Sequence, residues 1–168
     1  MDINNFIWFS GLIFGVMMVV FLVIRVFVGR INRVWNKHRA ETVDKWNTED
    51  IEYILEPIGG QFGGLESMGE KMVIRGVGFV ALTNKDLRVT RSTPSGQWII
   101  NFRQIKKIIT RHYFLGKRSD KVPFIVIRFV KDSKKDRLGF LVKNYEEWVE
   151  ALEEETGLTA KDERVKLP

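Results

Sequence analysis

The chain has 168 residues, no cysteine and a formal net charge of +6 at pH 7. The lack of cysteine excludes disulfides, thiolate metal sites and cysteine nucleophiles. The basic excess, 27 Lys and Arg against 21 Asp and Glu, is too modest to identify a partner by itself.

The N-terminal region is apolar throughout. Residues 3–24 carry no charged side chain, and Phe, Ile, Leu, Val and Met dominate them. A helix of this length rises roughly 33 Å, enough to cross a hydrocarbon core of about 30 Å. A cleaved signal peptide fits poorly, because no Lys or Arg precedes the apolar run and bulky residues follow it. We therefore expect residues 1–28 to form a single transmembrane anchor, which makes the lipid bilayer a partner of the chain.

Basic residues flank this apolar run on one side. The run is followed by five of them: Arg25, Arg30, Arg33, Lys37 and Arg39. Since Lys and Arg near a span favour the cytoplasmic side, we expect the N-terminus outside the plasma membrane and the C-terminal domain in the cytoplasm.

Two glycines lie one helical turn apart within the anchor. Gly11 and Gly15 form the small-xxx-small spacing that lets a second helix approach closely. They are the predicted helix-dimer face, so a homodimer is one expected assembly. Glycine is also common in membrane helices that do not pair.

Residues 29–64 are predicted to connect the anchor to a domain. Residues 29–46 keep a helical period with basic side chains, which predicts an amphipathic helix that continues the anchor or lies in the headgroup layer. Thr48 predicts the N-cap of a short helix that stops near Pro57. The glycine-rich residues 59–64 lack the Gly-Lys-Ser/Thr ending of a phosphate loop, and we interpret them as a hinge.

The rest of the chain has the twofold period of half-buried strands. Leu87 and Val89 alternate with polar residues, and turn residues such as Thr93-Pro94-Ser95-Gly96 separate the runs. Short hairpins without intervening helices predict an antiparallel meander. The predicted strands are seven: 71–76, 78–83, 86–92, 97–102, 105–113, 123–131 and 136–142.

One helix is predicted to close the domain. Asn144 is its expected N-cap, with Glu147 three residues later, and Gly157 follows its end. Its apolar stripe contains Trp148, which we expect to fill the open end of the sheet. The fold class is therefore α+β: an N-terminal transmembrane helix, then a seven-stranded antiparallel barrel or sandwich capped by a C-terminal helix.

Two segments of this domain resemble a known family, the GRAM and bacterial-type PH-like domains of the pleckstrin-homology superfold. They are residues 78–87 (GFVALTNKDL) and 98–105 (WIINFRQI), and the helix with Trp148 completes the likeness. The resemblance covers roughly residues 66–157, so we expect a domain at 65–157, followed by a polar tail at 158–168. It implies a lipid-binding or protein-binding module, often tethered to a membrane. Because the first hairpin offers only Lys71 and Arg75, it does not imply phosphoinositide specificity.

Residues for catalysis are sparse. His38 and His112 are the two histidines, and neither has neighbours with metal-ligand spacing. No serine-centred nucleophile motif occurs, and the acidic run of residues 153–155 is typical of a solvated helix face. We expect a non-enzymatic protein with no cofactor and no metal.

Charge is strongly segregated within the domain. Residues 85–143 contain sixteen Lys and Arg against four Asp and Glu, whereas residues 144–155 carry only acidic charges. We expect an anionic surface to contact nine of these cations: Lys106, Lys107, Arg111, Lys117, Arg118, Lys121, Lys131, Lys134 and Lys135. Five of them, in two loops, are expected to form a rim at one end of the sheet: Lys117, Arg118, Lys121, Lys134 and Lys135.

The anchor favours one partner for these cations. A tethered domain meets lipid at high effective concentration, so we expect a module that binds anionic lipid headgroups or a protein partner. The alternatives are a scaffold subunit of a membrane complex and, less favoured, a tethered nucleic-acid-binding domain. A basic face that serves solubility alone is also compatible with this pattern.

Overall fold

The computed structural model describes residues 3–47, 51–68, 76–92 and 95–163. The chain forms two compact units, Met1–Lys45 and Trp46–Pro168. The predicted cap Thr48 and the cations Lys71 and Arg75 lie outside the described residues, as does most of the first predicted strand.

The first unit is helical. Helix α1 (Ile3–Asn47) is continuous. The segment predicted to be amphipathic, residues 29–46, therefore continues the apolar helix. Its window Ile13–Arg30 has a mean hydropathy of 2.2, is not buried, and is long and apolar enough to cross a membrane.

The second unit is built on one eight-stranded, mostly antiparallel sheet in the order β10-β5-β8-β9-β1-β2-β3-β4, with a separate β6–β7 hairpin. The strands are β1 (Tyr53–Leu65), β2 (Gly76–Thr83), β3 (Asp86–Arg91), β4 (Gly96–Asn101), β5 (Ile105–Arg111), β6 (Tyr113–Phe114), β7 (Lys117–Arg118), β8 (Phe124–Lys131), β9 (Lys134–Leu141) and β10 (Lys161–Asp162). Six of the predicted strands are present, and their ends differ from the predicted ends by at most two residues. The prediction of seven strands is wrong, because the described part of the chain contains ten.

Strand β1 corrects two further predictions. A short helix was predicted from residue 48 towards Pro57 and a hinge at 59–64, but residues 53–57 and the whole of 59–64 lie in this strand. Pro57 falls at a register irregularity between Leu55 and Ile58, a position where a strand tolerates proline. The glycines of β1 do not act as a hinge but let this strand pack closely against β9. A Cβ on Gly63 would lie 2.8 Å from the Gly139 carbonyl oxygen.

The sheet folds back on itself along β1 to form a sandwich. The N-terminal part of β1 pairs with β2, and its end, from Gln61 to Leu65, also pairs with β9. One apolar cluster joins both layers, for example Val89 and Ile100 with Ile108 and Ile127. Within the described residues β4 and β10 are the two ends of the sheet, so it is not a closed barrel.

Helix α2 (Tyr145–Thr156) packs on this core as predicted. Trp148 is 2% exposed and makes an edge-to-face contact with Phe140, with ring centroids 6.1 Å apart. Gly157 ends the helix in the left-handed conformation. The predicted capping box at the start is absent: Asn144 caps no backbone N–H, and its side-chain amide donates to Glu147.

A buried polar network lies on the outer face of β2 and β3. The Arg88 Nε donates to Asp86 at 2.7 Å, and the Thr83 hydroxyl donates to the same carboxylate at 2.9 Å. Trp46, itself 1% exposed, lies against the Arg88 guanidinium at 5.9 Å from the ring centroid. Breaking such a pair by removing one partner is costly, because it leaves a buried charge behind.

Candidate anionic-surface site

The five cations predicted to form a rim do not lie at one end of the sheet. In the register of β5 and β8, Arg111 lies opposite Phe124 and Ile105 opposite Phe129. The β5–β8 connection and the β8–β9 turn are therefore at opposite ends of β8, ~23 Å apart at ~3.3 Å per residue. The prediction that Lys117 and Lys134 share one end of the sheet is wrong, because consecutive connections of an antiparallel meander alternate ends.

We divide the nine residues accordingly. The hairpin cluster contains Arg111, Lys117, Arg118 and Lys121. The turn cluster contains Lys106, Lys107, Lys131, Lys134 and Lys135.

The hairpin cluster surrounds β6 and β7, which pack on the outer face of the sheet. Phe114 is buried over Gly139, where an added Cβ would lie 2.4 Å from the phenyl ring. The Lys117 ammonium donates to the Gly63 carbonyl at 3.0 Å. Strand glycines on two neighbouring strands thus leave a shallow trough that the hairpin fills.

A pocket of about 90 Å³ opens beside this hairpin. Its basic lining residues, Lys117 and Arg118, are held by Gly63 and Asp120 respectively. The Ser119 hydroxyl donates to the Val122 carbonyl, and His112 Nδ1 hydrogen-bonds the Ser119 carbonyl. Because these polar groups already have partners in the loop or in β1, the pocket is better explained by the packing of the hairpin on the sheet than as a ligand site.

The turn cluster is more open. Asp132 and Ser133 both have positive φ, 49° and 63°, as a two-residue hairpin turn of type I′ requires. Lys131 and Lys134 pair across this turn, and both are exposed, as is Lys135. None of these three lysines makes an ion pair with another described residue. Lys106 donates to the Arg103 carbonyl, and Lys107 lies 3.5 Å from Glu163.

Two arginines lie beside this cluster: Arg137, which the sequence already groups with Lys131, Lys134 and Lys135, and Arg128, which was missed. Arg128 lies directly opposite Lys107 on one side and Arg137 on the other. The sequence contains a signal for the pairing of Arg128 with Arg137, because a two-residue turn at Asp132 and Ser133 determines which residues of β8 and β9 face each other. We call Lys107, Arg128 and Arg137 the basic row.

The ends of the basic row carry acidic partners. Arg137 donates two hydrogen bonds to Glu66, and this pairing lowers the pKa of Glu66 and raises the pKa of Arg137. At the other end, hydrogen bonding by Lys161 and the charge of Lys107 lower the pKa of Glu163. Arg128, in the middle, is exposed and makes no ion pair or hydrogen bond with an acidic side chain among the described residues, although its charge also helps to lower the pKa of Glu66.

No catalytic arrangement emerges from the described residues. Among them, no group of three or more His, Cys, Asp or Glu side chains is placed to hold a metal ion. On α1, Gly15 is exposed, and an added Cβ there would meet no atom within 4 Å; the side-chain surroundings of Gly11 are not described. The helix-dimer face remains a prediction.

Comparison with known proteins extends the fold assignment but not the function. No family model matches the chain, and no curated protein sequence matches it. Among solved structures, the hSac2 domain from human phosphoinositide phosphatase Sac2 is similar, with a TM-score of 0.54 and 8% sequence identity. The match covers 75% of this chain and 88% of that one. At this identity the likeness shows a shared fold alone.

Proposed function

We propose that this protein is a membrane-anchored, non-enzymatic module with a GRAM-like or PH-like sandwich that binds an anionic lipid surface. The observation that carries the proposal is the turn cluster, in which Lys131, Lys134 and Lys135 are exposed without ion-pair partners among the described residues. Each such charge adds up to about 1 kcal/mol of attraction to an anionic leaflet. The phosphoinositide phosphatase domain with a similar fold is compatible with this proposal.

The proposed anchor is the apolar part of α1. Its window Ile13–Arg30 is exposed along its whole length, which hydrocarbon would cover. The basic residues that follow residue 24 place the second unit on the cytoplasmic side in this proposal. The anchor keeps the domain near lipid, so even weak charge attraction gives appreciable occupancy.

Single-cysteine labelling tests the proposal on the full chain. Since the protein has no cysteine, Ser133→Cys places one fluorophore at the β8–β9 turn, and Ser95→Cys places one at the β3–β4 turn as a matched control. The chain is placed in nanodiscs containing brominated lipid, with phosphatidylcholine alone or with added phosphatidylglycerol. We expect phosphatidylglycerol to increase quenching at position 133 and not at position 95.

Salt provides the second control. At about 0.5 M salt the Debye length falls to roughly 4 Å, so most of the added quenching at position 133 should be lost. Equal quenching in neutral and anionic nanodiscs at low salt would mean that the basic residues serve solubility alone.

In that event a protein partner becomes the leading hypothesis. Strand β4 ends the sheet beyond β3, and its Ile99 is 36% exposed. A sheet edge of this kind can pair with a strand of another protein. Cross-linking from this edge in native membranes would identify such a scaffold role, and a mobility-shift assay with DNA and RNA would test the nucleic-acid alternative.

A further inference from the structure

The basic row places like charges side by side on three adjacent strands. Lys107, Arg128 and Arg137 are direct cross-strand neighbours on β5, β8 and β9. Side chains opposite each other have Cβ atoms about 4.5–5.5 Å apart, and like charges at that distance are destabilising. An arrangement of this kind needs negative charge close by.

Acidic side chains pair directly with the ends of the row and not with its centre, although Glu66 also interacts electrostatically with Arg128. Glu163 lies 3.5 Å from Lys107, and Glu66 accepts two hydrogen bonds from Arg137. Within the described residues Arg137 and Lys107 each have a direct acidic partner, the second shared with Lys161, whereas Arg128 at the middle of the row has none.

The surroundings of Arg128 determine the shape of its partner. Its neighbours along β8, Ile127 and Phe129, point into the core, so Arg128 lies on the outer face of the sheet. Lys135 is its diagonal neighbour on β9, about 7–8 Å away by strand geometry. The pocket of the outer face is at the opposite end, beside the hairpin. An open sheet face fits an extended surface better than an enclosed small ligand.

We propose that Arg128 binds the phosphate group of an anionic lipid headgroup at the bilayer surface, with Lys107 and Lys135 beside it. This inference rests on the proposed function and deepens it, since it names the group recognised and the residue that recognises it. A guanidinium presents a planar pair of N–H donors that matches two phosphate oxygens, whereas an ammonium acts as a point charge. The neutralised ends of the row keep the bound phosphate centred on Arg128.

The test uses the full chain with the label at Ser133→Cys, in nanodiscs containing brominated lipid and phosphatidylglycerol. Fluorescence quenching gives the ratio of docked to undocked domain. Arg128→Gln should lower that ratio about tenfold or more, as expected for losing a charge-assisted, two-donor contact. Lys121→Gln, which removes the same charge at the other end of the sheet, should change it about twofold or less.

Arg128→Lys separates phosphate recognition from charge. It keeps the charge and loses the planar donor pair, so we expect it to recover only part of the loss caused by Arg128→Gln. Full recovery would show simple charge attraction and overturn the inference. Displacement by inorganic phosphate, compared with chloride of equal ionic strength, would indicate a site for free phosphate instead of the bilayer surface.

The two proposals fail in different ways. If the unmodified chain shows no docking to phosphatidylglycerol, the proposed function is wrong and this inference falls with it. If the chain docks but Arg128→Gln behaves like Lys121→Gln, the proposed function stands and the role of Arg128 is wrong. The melting temperature of Arg128→Gln should stay close to that of the unmodified chain, because repulsion from Lys107 and Arg137 opposes the attraction between Arg128 and Glu66. A lower melting temperature would mean that Arg128 serves folding, and it would contradict a basic row kept for binding.

Discussion

Gly78 shows how closely two strands approach in this fold. A Cβ built on it would lie 1.7 Å from the Thr90 carbonyl oxygen, which belongs to the neighbouring backbone and cannot rotate away. We expect Gly78→Ala to lower the free energy of unfolding by about 3 kcal/mol or more, since the strands must separate to accept the methyl group. Urea denaturation in detergent micelles, followed by far-ultraviolet circular dichroism, would measure this.

Gly157 provides the matched control. Its φ of 67° is in the left-handed region that favours glycine, but an added Cβ would meet no atom within 4 Å. Gly157→Ala should therefore cost only the conformational penalty of about 1 kcal/mol. Equal costs at the two glycines would contradict the steric explanation for Gly78.

Trp148 is the largest side chain that α2 contributes to the core. Trp148→Ala should cost about 3–5 kcal/mol of unfolding free energy, the range for removing a large buried aromatic residue. Glu150→Ala, on the exposed side of the same helix, should change stability by less than about 0.5 kcal/mol. A loss below ~1 kcal/mol for the Trp148 variant would mean that the helix is peripheral to the fold.

At the scale of elements, the Glu66–Arg137 pair joins the chain just after β1 to β9. Hydrogen bonding from Arg137 holds the Glu66 pKa below its ordinary value, so the pair stabilises the fold above the unfolded pKa of about 4.3. That contribution is lost as the pH falls through the lower folded pKa. The pair is partly exposed, so we expect less than about 1 kcal/mol.

Glu66→Gln tests this pH dependence. The variant should be less stable than the unmodified chain at pH 6, and the difference should diminish as the pH falls through the lowered pKa of Glu66 in the folded chain. Urea denaturation at a series of pH values would measure it. A difference that does not change with pH across the acid range would show that the glutamate acts through packing and not through its charge.

The sequence predicted those elements whose local patterns agree with their surroundings. The hairpin strands from 78 to 142 alternate polar and apolar residues, and α2 has a clear apolar stripe ending at Gly157, so both were located correctly. Strand β1 was missed because glycine and proline, which usually interrupt strands, here allow backbone contact with β9 and a register irregularity. The two-residue strands β6, β7 and β10 carry too few residues for any period.

The sequence predicted which residue types the candidate site contains but not how these residues are placed on the sheet. The exposed lysines of the turn cluster were recognised from charge density alone. Their separation from Lys117 and Lys121 depends on strand register, and so does the row centred on Arg128. Register depends on turn geometry and on long-range strand pairing. The periodicity of a single strand gives information on neither.

At the scale of the whole molecule, the orientation in the membrane is open to a direct test. A reporter enzyme fused after Pro168 should be active only if it functions in the cytoplasm, because the basic residues that follow the apolar run favour that side. A reporter that requires export should remain inactive at the same position. Strong activity of the exported reporter would reverse the orientation and exclude cytoplasmic lipids as the surface that the domain meets.

The position of β1 in the middle of the sheet has a consequence for biosynthesis. Leu65 pairs with Leu138, so the second partner of this strand emerges from the ribosome 73 residues after it. At about 5–20 residues per second, β1 waits roughly 4–15 s before β9 is available. During that interval the first four strands expose the apolar face that the second layer will cover. We therefore expect slow codons between β4 and β9 to prolong this exposure and to lower the yield of folded protein.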